Sequence, residues 1–319
     1  MEFNHIPVMP TEIIEGLGLN HQSTTSNPIP GLPKVYVDGT LGGGGHSKLI
    51  LDTLPKGSRL IGIDRDKNAI NAATNHISND MFTPVHGNFH DIPQILENLN
   101  ITAVNGILLD LGVSSHQLDT AERGFSYRFD GPLDMRMNQE SHLSAYEIVN
   151  SYAEKDLANI FFNFGEERYS RRIARAICKT RETSPIKTTA ELANLIERTS
   201  PKQKFGMPHP AMRTFMAIRI AVNDELLPLG NVLTNITKCL VPGGRIAVIT
   251  FHSLEDRIVK TTFQKIAFPC ICPRDIPYCA CGKTPDIRIL TKKPILPTQA
   301  EITNNKRAHS AKLRIAEKI

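Results

Sequence analysis

Asp38, Asp64 and Asp110 each stand at the end of a short apolar run, and directly after the first comes Gly39-Thr40-Leu41-Gly42-Gly43-Gly44-Gly45-His46-Ser47. Carboxylates at such ends hold hydroxyls or cations, and a glycine turn lets the backbone approach a ligand closely. Spacing separates the ligand classes that use this kind of turn. A phosphate-binding P-loop needs a Gly-Lys-Ser/Thr ending, and here His46-Ser47-Lys48 follows the glycines instead. A dinucleotide loop of the form G-x-G-x-x-G would need glycine where Ser47 or Lys48 stands.

What remains is D/E-x-x-x-G-x-G, met by Asp38, Gly42 and Gly44, the loop that cradles S-adenosylmethionine. Asp38 would repel a pyrophosphate but accept hydrogen bonds around the ammonium and sulfonium half of that cofactor. Asp64 follows 26 residues later, placed either to hold both ribose hydroxyls or to cap the helix after it. Phe89, beyond the third apolar run, packs on the adenine or joins the core. Asp110 ends the fourth run, at the edge that faces the methyl group.

The elements that position these residues follow from periodicity. Between 34 and 111, β-branched runs (35–38, 60–64, 83–86 and 106–111) alternate with helical stretches (46–54, 66–78 and near 92–99). Strands that are apolar throughout and alternate with helices predict a parallel sheet covered on both faces, an α/β fold. A comparable strand returns only at 245–251, followed by a helix over 254–267; two terminal runs, 287–296 and 310–317, are placed to finish the sheet as a hairpin. The intervening span of about 130 residues is too long for a connection and predicts an insertion, helical over 117–213. The expected organisation is thus a discontinuous domain, 1–116 and 214–319, around that insertion.

Charge is concentrated in the insertion. The 319 residues carry 37 Lys+Arg and 32 Asp+Glu, a net +5, whereas 160–220 holds 12 against 5, a surplus of +7. Arg168, Arg172, Arg175 and Lys179 recur at spacings of 4, 3 and 4, which puts them on one face of a helix predicted over 166–181, with Ile173 and Ile177 facing inward. That stripe is either a solvated helix face or a phosphate-binding surface. No basic leader or apolar span of bilayer length is present in the sequence, so the expectation is a cytoplasmic protein without a membrane partner.

Over nearly its whole length the chain resembles the RsmH (MraW) family of bacterial small-subunit rRNA cytosine-N4 methyltransferases. The resemblance rests on His5-Ile6-Pro7-Val8-Met9, the loop from Asp38 to Ser47, Gly106-Ile107-Leu108-Leu109-Asp110-Leu111-Gly112-Val113-Ser114-Ser115, Arg123-Gly124-Phe125-Ser126, Gly131-Pro132-Leu133-Asp134-Met135-Arg136-Met137, Gly165-Glu166-Glu167-Arg168, His209-Pro210-Ala211 with Arg213-Thr214-Phe215, and Phe251-His252-Ser253-Leu254-Glu255-Asp256-Arg257. It implies a class I, Rossmann-like methyltransferase sheet interrupted by a helical substrate-recognition domain, with S-adenosylmethionine as donor. The implied cofactor contacts fall on Gly44, Gly45, His46, Asp64, Phe89, Asp110 and Gln117. The implied product is an N4-methylated cytidine in the decoding region of 16S rRNA in the small ribosomal subunit. The chain departs from the family in a longer 20–33 loop, Asn138 and His309.

The cytosine amine delocalises its lone pair into the ring and needs somewhere to leave a proton. Asp110 is the leading acceptor, with Asp134 and His252 as candidate helpers. Asp134 is equally placed for a structural pair with Arg136, and Ser253 and Asp256 read as caps of the following helix. Arg123, Phe125, Tyr127 and Arg128 form either a base-stacking cluster or a folded loop; Arg123 joins Arg168, Arg172, Arg175 and Lys179 as an expected RNA contact. Cys270-Ile271-Cys272 and Cys279-Ala280-Cys281 read either as reduced surface thiols or as a zinc site with tight spacers, and no metal is assigned to catalysis. The competing function is an RNA-binding ribosome-assembly factor on the same fold, against which the intact loop and both later carboxylates argue. The chain is expected to act as a monomer or weak homodimer.

Overall fold

The computed structural model describes residues 7–19, 33–201, 206–273, 278 and 280–319. They form two compact units, one of Met1–Gly112 with Leu226–Ile319 and one of Val113–Glu225. The chain runs through α1 (Pro10–Gly16), β1 (Val35–Asp38), α2 (Gly45–Thr53), β2 (Arg59–Asp64), α3 (Lys67–His76), β3 (Phe82–His86), α4 (Ile92–Asn98) and β4 (Val104–Asp110). The second unit holds α5 (Ser115–Asp119), α6 (Ala145–Ser151), α7 (Glu154–Gly165), α8 (Ser170–Arg181), α9 (Thr189–Thr199) and α10 (Ala211–Asn223). The first then resumes with α11 (Leu229–Thr237), β5 (Leu240–Thr250), α12 (Ser253–Ala267), β6 (Ile287–Ile289), α13 (Gln299–Asn304) and β7 (Lys312–Lys318).

The seven strands lie in the order β3-β2-β1-β4-β5-β7-β6, parallel from β3 to β5, with β7 antiparallel to both its neighbours. Successive side chains enter opposite layers. Val37, Ile61, Ile107 and Leu109 join one core with Ile92, Leu233 and Phe263, while Tyr36, Leu60 and Leu108 join another with Ile13 and Ile50. Both faces are therefore buried, which is why these strands read as unbroken apolar runs. The terminal runs do pair as expected, although β6 keeps only three residues. No helix among the described residues is long and apolar enough to cross a membrane.

The second unit has its own core, with Phe161 of α7, Ile173 and Ile177 of α8, Leu192 of α9 and Phe215 and Ile218 of α10 all buried. It extends beyond the 117–213 expected from sequence because α10 belongs to that core: a Cβ on Gly165 would lie 2.6 Å from the Arg213 carbonyl oxygen, so α7 and α10 meet backbone to backbone. The helix expected over 166–181 begins later, at Ser170. Glu166 takes the left-handed conformation, φ 48°, and ends α7. Arg168 thus sits in the turn before α8.

Candidate active site

The glycine loop leaves β1 at the carboxyl edge of the sheet and is tied down on both sides. Gly39 N–H donates to the Leu108 carbonyl at 2.9 Å, and Leu41 N–H to that of Ile63 at 2.9 Å. Asp38, only 1% exposed, accepts from Ser47 Oγ at 2.7 Å and from the Thr40 N–H at 3.2 Å. Its carboxylate braces the turn from beneath. Ser47, nine residues on in the first turn of α2, is its side-chain partner. Burial raises the Asp38 carboxyl above its usual range, opposed by His46, Ser47 and Thr40.

Asp64 ends β2 and accepts from Gly42 N–H on one oxygen and from Asp66 N–H on the other, both at 2.8 Å. The helix cap assigned to it by one sequence reading is supplied by Asp66, whose Oδ1 accepts from Asn68 N–H at 3.0 Å. A carboxylate offers about four acceptor sites, so capacity remains for ribose hydroxyls. Desolvation pushes its pKa up to about 6 despite the two N–H bonds. Gly44 caps α2 with φ 82°, and a Cβ there would lie 2.8 Å from Ile77 Cδ1 and 3.2 Å from Ala73 Cβ. Gly45 follows as the first residue of α2. Phe89 is 8% exposed and belongs to the core beside Ile92, edge-on to His90 with ring centres 4.5 Å apart.

At the tip of β4, the Asp110 N–H donates to Thr40 Oγ1 at 2.6 Å, joining the loop to the strand that carries the reacting edge. Asp110 Oδ2 lies 3.7 Å from His46 Nδ1, and the far ring nitrogen of His46 lies 2.8 Å from the Val8 carbonyl oxygen. Since that oxygen can only accept, Nε2 carries the proton. Asp110 Oδ1 is buried with no hydrogen-bond partner among the described residues. Desolvation pushes the Asp110 pKa up to about 6; His46 opposes this, and the negative Asp38 and Glu255 add to it.

Glu255 is 1% exposed and was not singled out from sequence. Its Oε2 accepts the N–H groups of Phe251 at 2.8 Å and His252 at 3.3 Å, and its Oε1 lies 3.1 Å from His252 Nε2. His252 Nδ1 in turn accepts Glu255 N–H, so His252 is itself the N-cap of α12. The expected catalytic helper is therefore a cap, one residue before the predicted one. Asp256 is not a cap; it pairs with Arg314 Nε at 2.6 Å.

In the second unit, Gln117 lies at the third position of α5 and accepts the Ser114 N–H at 3.1 Å in a capping box. Asp134 receives Arg136 on both oxygens, at 3.1 Å from Nε to each and 2.6 Å from Nη2. That is the structural pair which the sequence offered as the alternative to a catalytic role. Arg123, 3% exposed, donates to the carbonyls of Arg136 at 2.8 Å and Met137 at 3.1 Å, and so holds a loop rather than an RNA strand. Phe125 is buried with it. Arg168, Arg172, Arg175 and Lys179 are exposed, and Arg175 Nε lies 3.5 Å from Glu154. Tyr127 stacks on His209, centroids 4.7 Å apart and planes 13° apart, beside a cleft of about 550 Å³ that Arg128 and Met212 also line.

S-adenosylmethionine suits the first unit's edge. Carboxylates rather than cations surround the loop, Asp110 keeps a buried acceptor oxygen to spare, and only a glycine fits at the α2 cap. A strand order that places the antiparallel β7 between β5 and β6 separates this sheet from the dinucleotide-binding 3-2-1-4-5-6 arrangement and, with that loop, defines a class I methyltransferase. The chain belongs to the MraW methylase family, whose model matches residues 2–319. Relatives named Ribosomal RNA small subunit methyltransferase H are similar to it from end to end. Those from Carboxydothermus hydrogenoformans and Clostridium botulinum (strain Loch Maree / Type A3) are each 50% identical, covering 100% of this chain and 99% and 100% of theirs. That from Brevibacillus brevis is 48% identical, covering 100% of this chain and 99% of its own.

Proposed function

We propose that this protein transfers the methyl group of S-adenosylmethionine to the N4 amine of a cytidine in the decoding region of 16S rRNA, acting on the small ribosomal subunit. The observation that carries the reading is the buried, unpartnered Oδ1 of Asp110 at the tip of β4, backed by full-length relatives named as small-subunit rRNA methyltransferases. When bound, the cofactor supplies a methyl group on a sulfonium, already activated for in-line displacement. The chain's own work is positional and protolytic. Asp64 holds the ribose hydroxyls, and Gly44 and Gly45 let the backbone close on the ligand.

Asp110 Oδ1 accepts a hydrogen bond from the target amine, favouring the pyramidal nitrogen whose lone pair is free to attack. With the cofactor bound, the amine would give up its proton to Asp110 as it takes on the methyl group. His46, whose Nε2 is held by the Val8 carbonyl oxygen, faces the other oxygen through Nδ1. Phe89 forms the adenine wall of the cofactor site from the core side. The exposed Arg168, Arg172, Arg175 and Lys179 neutralise phosphates flanking the target. Tyr127 and His209 give the RNA a stacking surface.

The test is transfer of labelled methyl to small subunits from a strain lacking this activity, followed by nucleoside mass analysis. N4-methylcytidine is expected. Label on ring carbon, on another base or on no RNA at all overturns the proposal.

A further inference from the structure

Between Ala267, the last residue of α12, and Ile287, the first of β6, the chain makes an excursion that the methyltransferase reading does not use. Its base is closed by the Asp286 N–H donating to the Ile266 carbonyl at 3.3 Å. No described residue from 268 to 286 is buried, and Phe268, Ile271 and Tyr278 are 73%, 71% and 85% exposed. The described residues of this loop form no helix or strand and bury no side chain, so they lack the apolar contacts that order most loops. Yet it gathers chemistry at one point. The sulfurs of Cys270, Cys272 and Cys281 all lie within 4.8 Å of one another.

Three thiols brought together at a surface gain nothing from hydrophobic burial. A disulfide would account for two of them at most and would join them at about 2.05 Å. A tetrahedral zinc with Zn–S bonds of about 2.3 Å holds its sulfurs roughly 3.8 Å apart, and the observed separations of at most 4.8 Å lie close to that. The cluster also has an outer-shell contact: Ala280 N–H lies 3.3 Å from Cys272 Sγ, and an amide aimed at sulfur stabilises it as a thiolate. Soft sulfur donors select zinc over the oxygen-seeking divalent ions.

We propose that Cys270, Cys272 and Cys281 bind a structural zinc ion that orders the 268–286 loop. Each thiol releases its proton to solvent on binding, and no electron is exchanged. The spacing in the sequence adds a fourth thiol, Cys279, which lies outside the described residues. The ion serves folding of the loop, remote in role from the carboxylates of the glycine loop.

The experiment uses the full-length protein expressed with zinc and purified under reducing conditions without chelator. Elemental analysis is expected to find one zinc per chain in the wild type, in Cys178→Ser and in Cys239→Ser, and its loss in Cys272→Ser and Cys281→Ser. Replacement by cobalt is expected to give a thiolate-to-cobalt charge-transfer band. Chelation of the wild type is expected to speed proteolysis within 268–286 by about tenfold or more while the rest of the chain stays resistant. Zinc below a tenth of an ion per reduced wild-type chain, stoichiometric zinc in Cys272→Ser, or an iron chromophore in its place overturns the assignment.

Discussion

The imidazole of His46 is held at both ends, by the Val8 carbonyl oxygen 2.8 Å from Nε2 and by Asp110 Oδ2 3.7 Å from Nδ1. A backbone oxygen of the segment before α1 thereby fixes which nitrogen of the ring faces the carboxylate proposed as proton acceptor. Asp110 has its carboxyl raised to about 6, and transfer requires the ionised form. The methyltransferase kcat/KM should therefore rise with pH through about 6 in the cofactor-free enzyme, and Asp110→Asn should lose about 10²-fold or more at every pH.

The same shift fixes the sign of a stability effect. A carboxyl whose folded pKa lies above its unfolded value of about 3.9 contributes stability that is full below that value and is lost as pH rises through about 6. Asp110→Asn removes the desolvated charge. Its melting temperature without cofactor should exceed that of the wild type at about pH 8, and the gap should fall to about half by about pH 5 and close below about pH 4.

Asp64→Ala removes the acceptor of the Gly42 and Asp66 N–H groups together with the proposed ribose contact. Charge-assisted bonds of this kind are worth about 1.5–3 kcal/mol each, so cofactor affinity measured by calorimetry should fall by about 10- to 100-fold. Undiminished affinity would remove Asp64 from the site.

Gly44→Ala tests the loop's backbone. With φ 82° and Ile77 Cδ1 2.8 Å from the added carbon, the substitution should cost about 1–3 kcal/mol in urea unfolding. It should weaken cofactor binding as well.

Two kinds of arginine should separate cleanly. Arg123→Ala strips a buried guanidinium from the carbonyls of Arg136 and Met137 and should lower stability by about 2–4 kcal/mol. Arg172→Ala combined with Lys179→Ala, both exposed on α8, should leave stability and cofactor affinity alone. The slope of log RNA affinity against log salt should shrink by about 1.4–1.8.

The sheet and the loop were legible because their signals are local: apolar runs, glycine spacing and carboxylates at strand ends all lie within a few residues of what they position. The exceptions depended on partners distant in sequence or on unusual chemistry. The Asp38–Ser47 bond spans the glycine turn and leaves no mark on its spacing, and Arg123 resembles an RNA contact until the chain folds Arg136 and Met137 over its guanidinium. His252 was missed as a cap because imidazole seldom fills that position, so the pattern Ser253-x-x-Asp256 drew the eye one residue past the true pair with Glu255. The left-handed Glu166, which splits the predicted basic helix, carries no signal that a non-glycine residue would normally give. Thr40 and Asp110 stand 70 residues apart, and no periodicity reports that bond.

β7 follows both β5 and β6 in the chain, yet it lies between them in the sheet. While its residues are still threaded through the exit tunnel, β5 has a bare edge and β6 has nothing to pair with. An enzyme whose proposed target is the ribosome therefore cannot close this sheet until the ribosome making it has released β7.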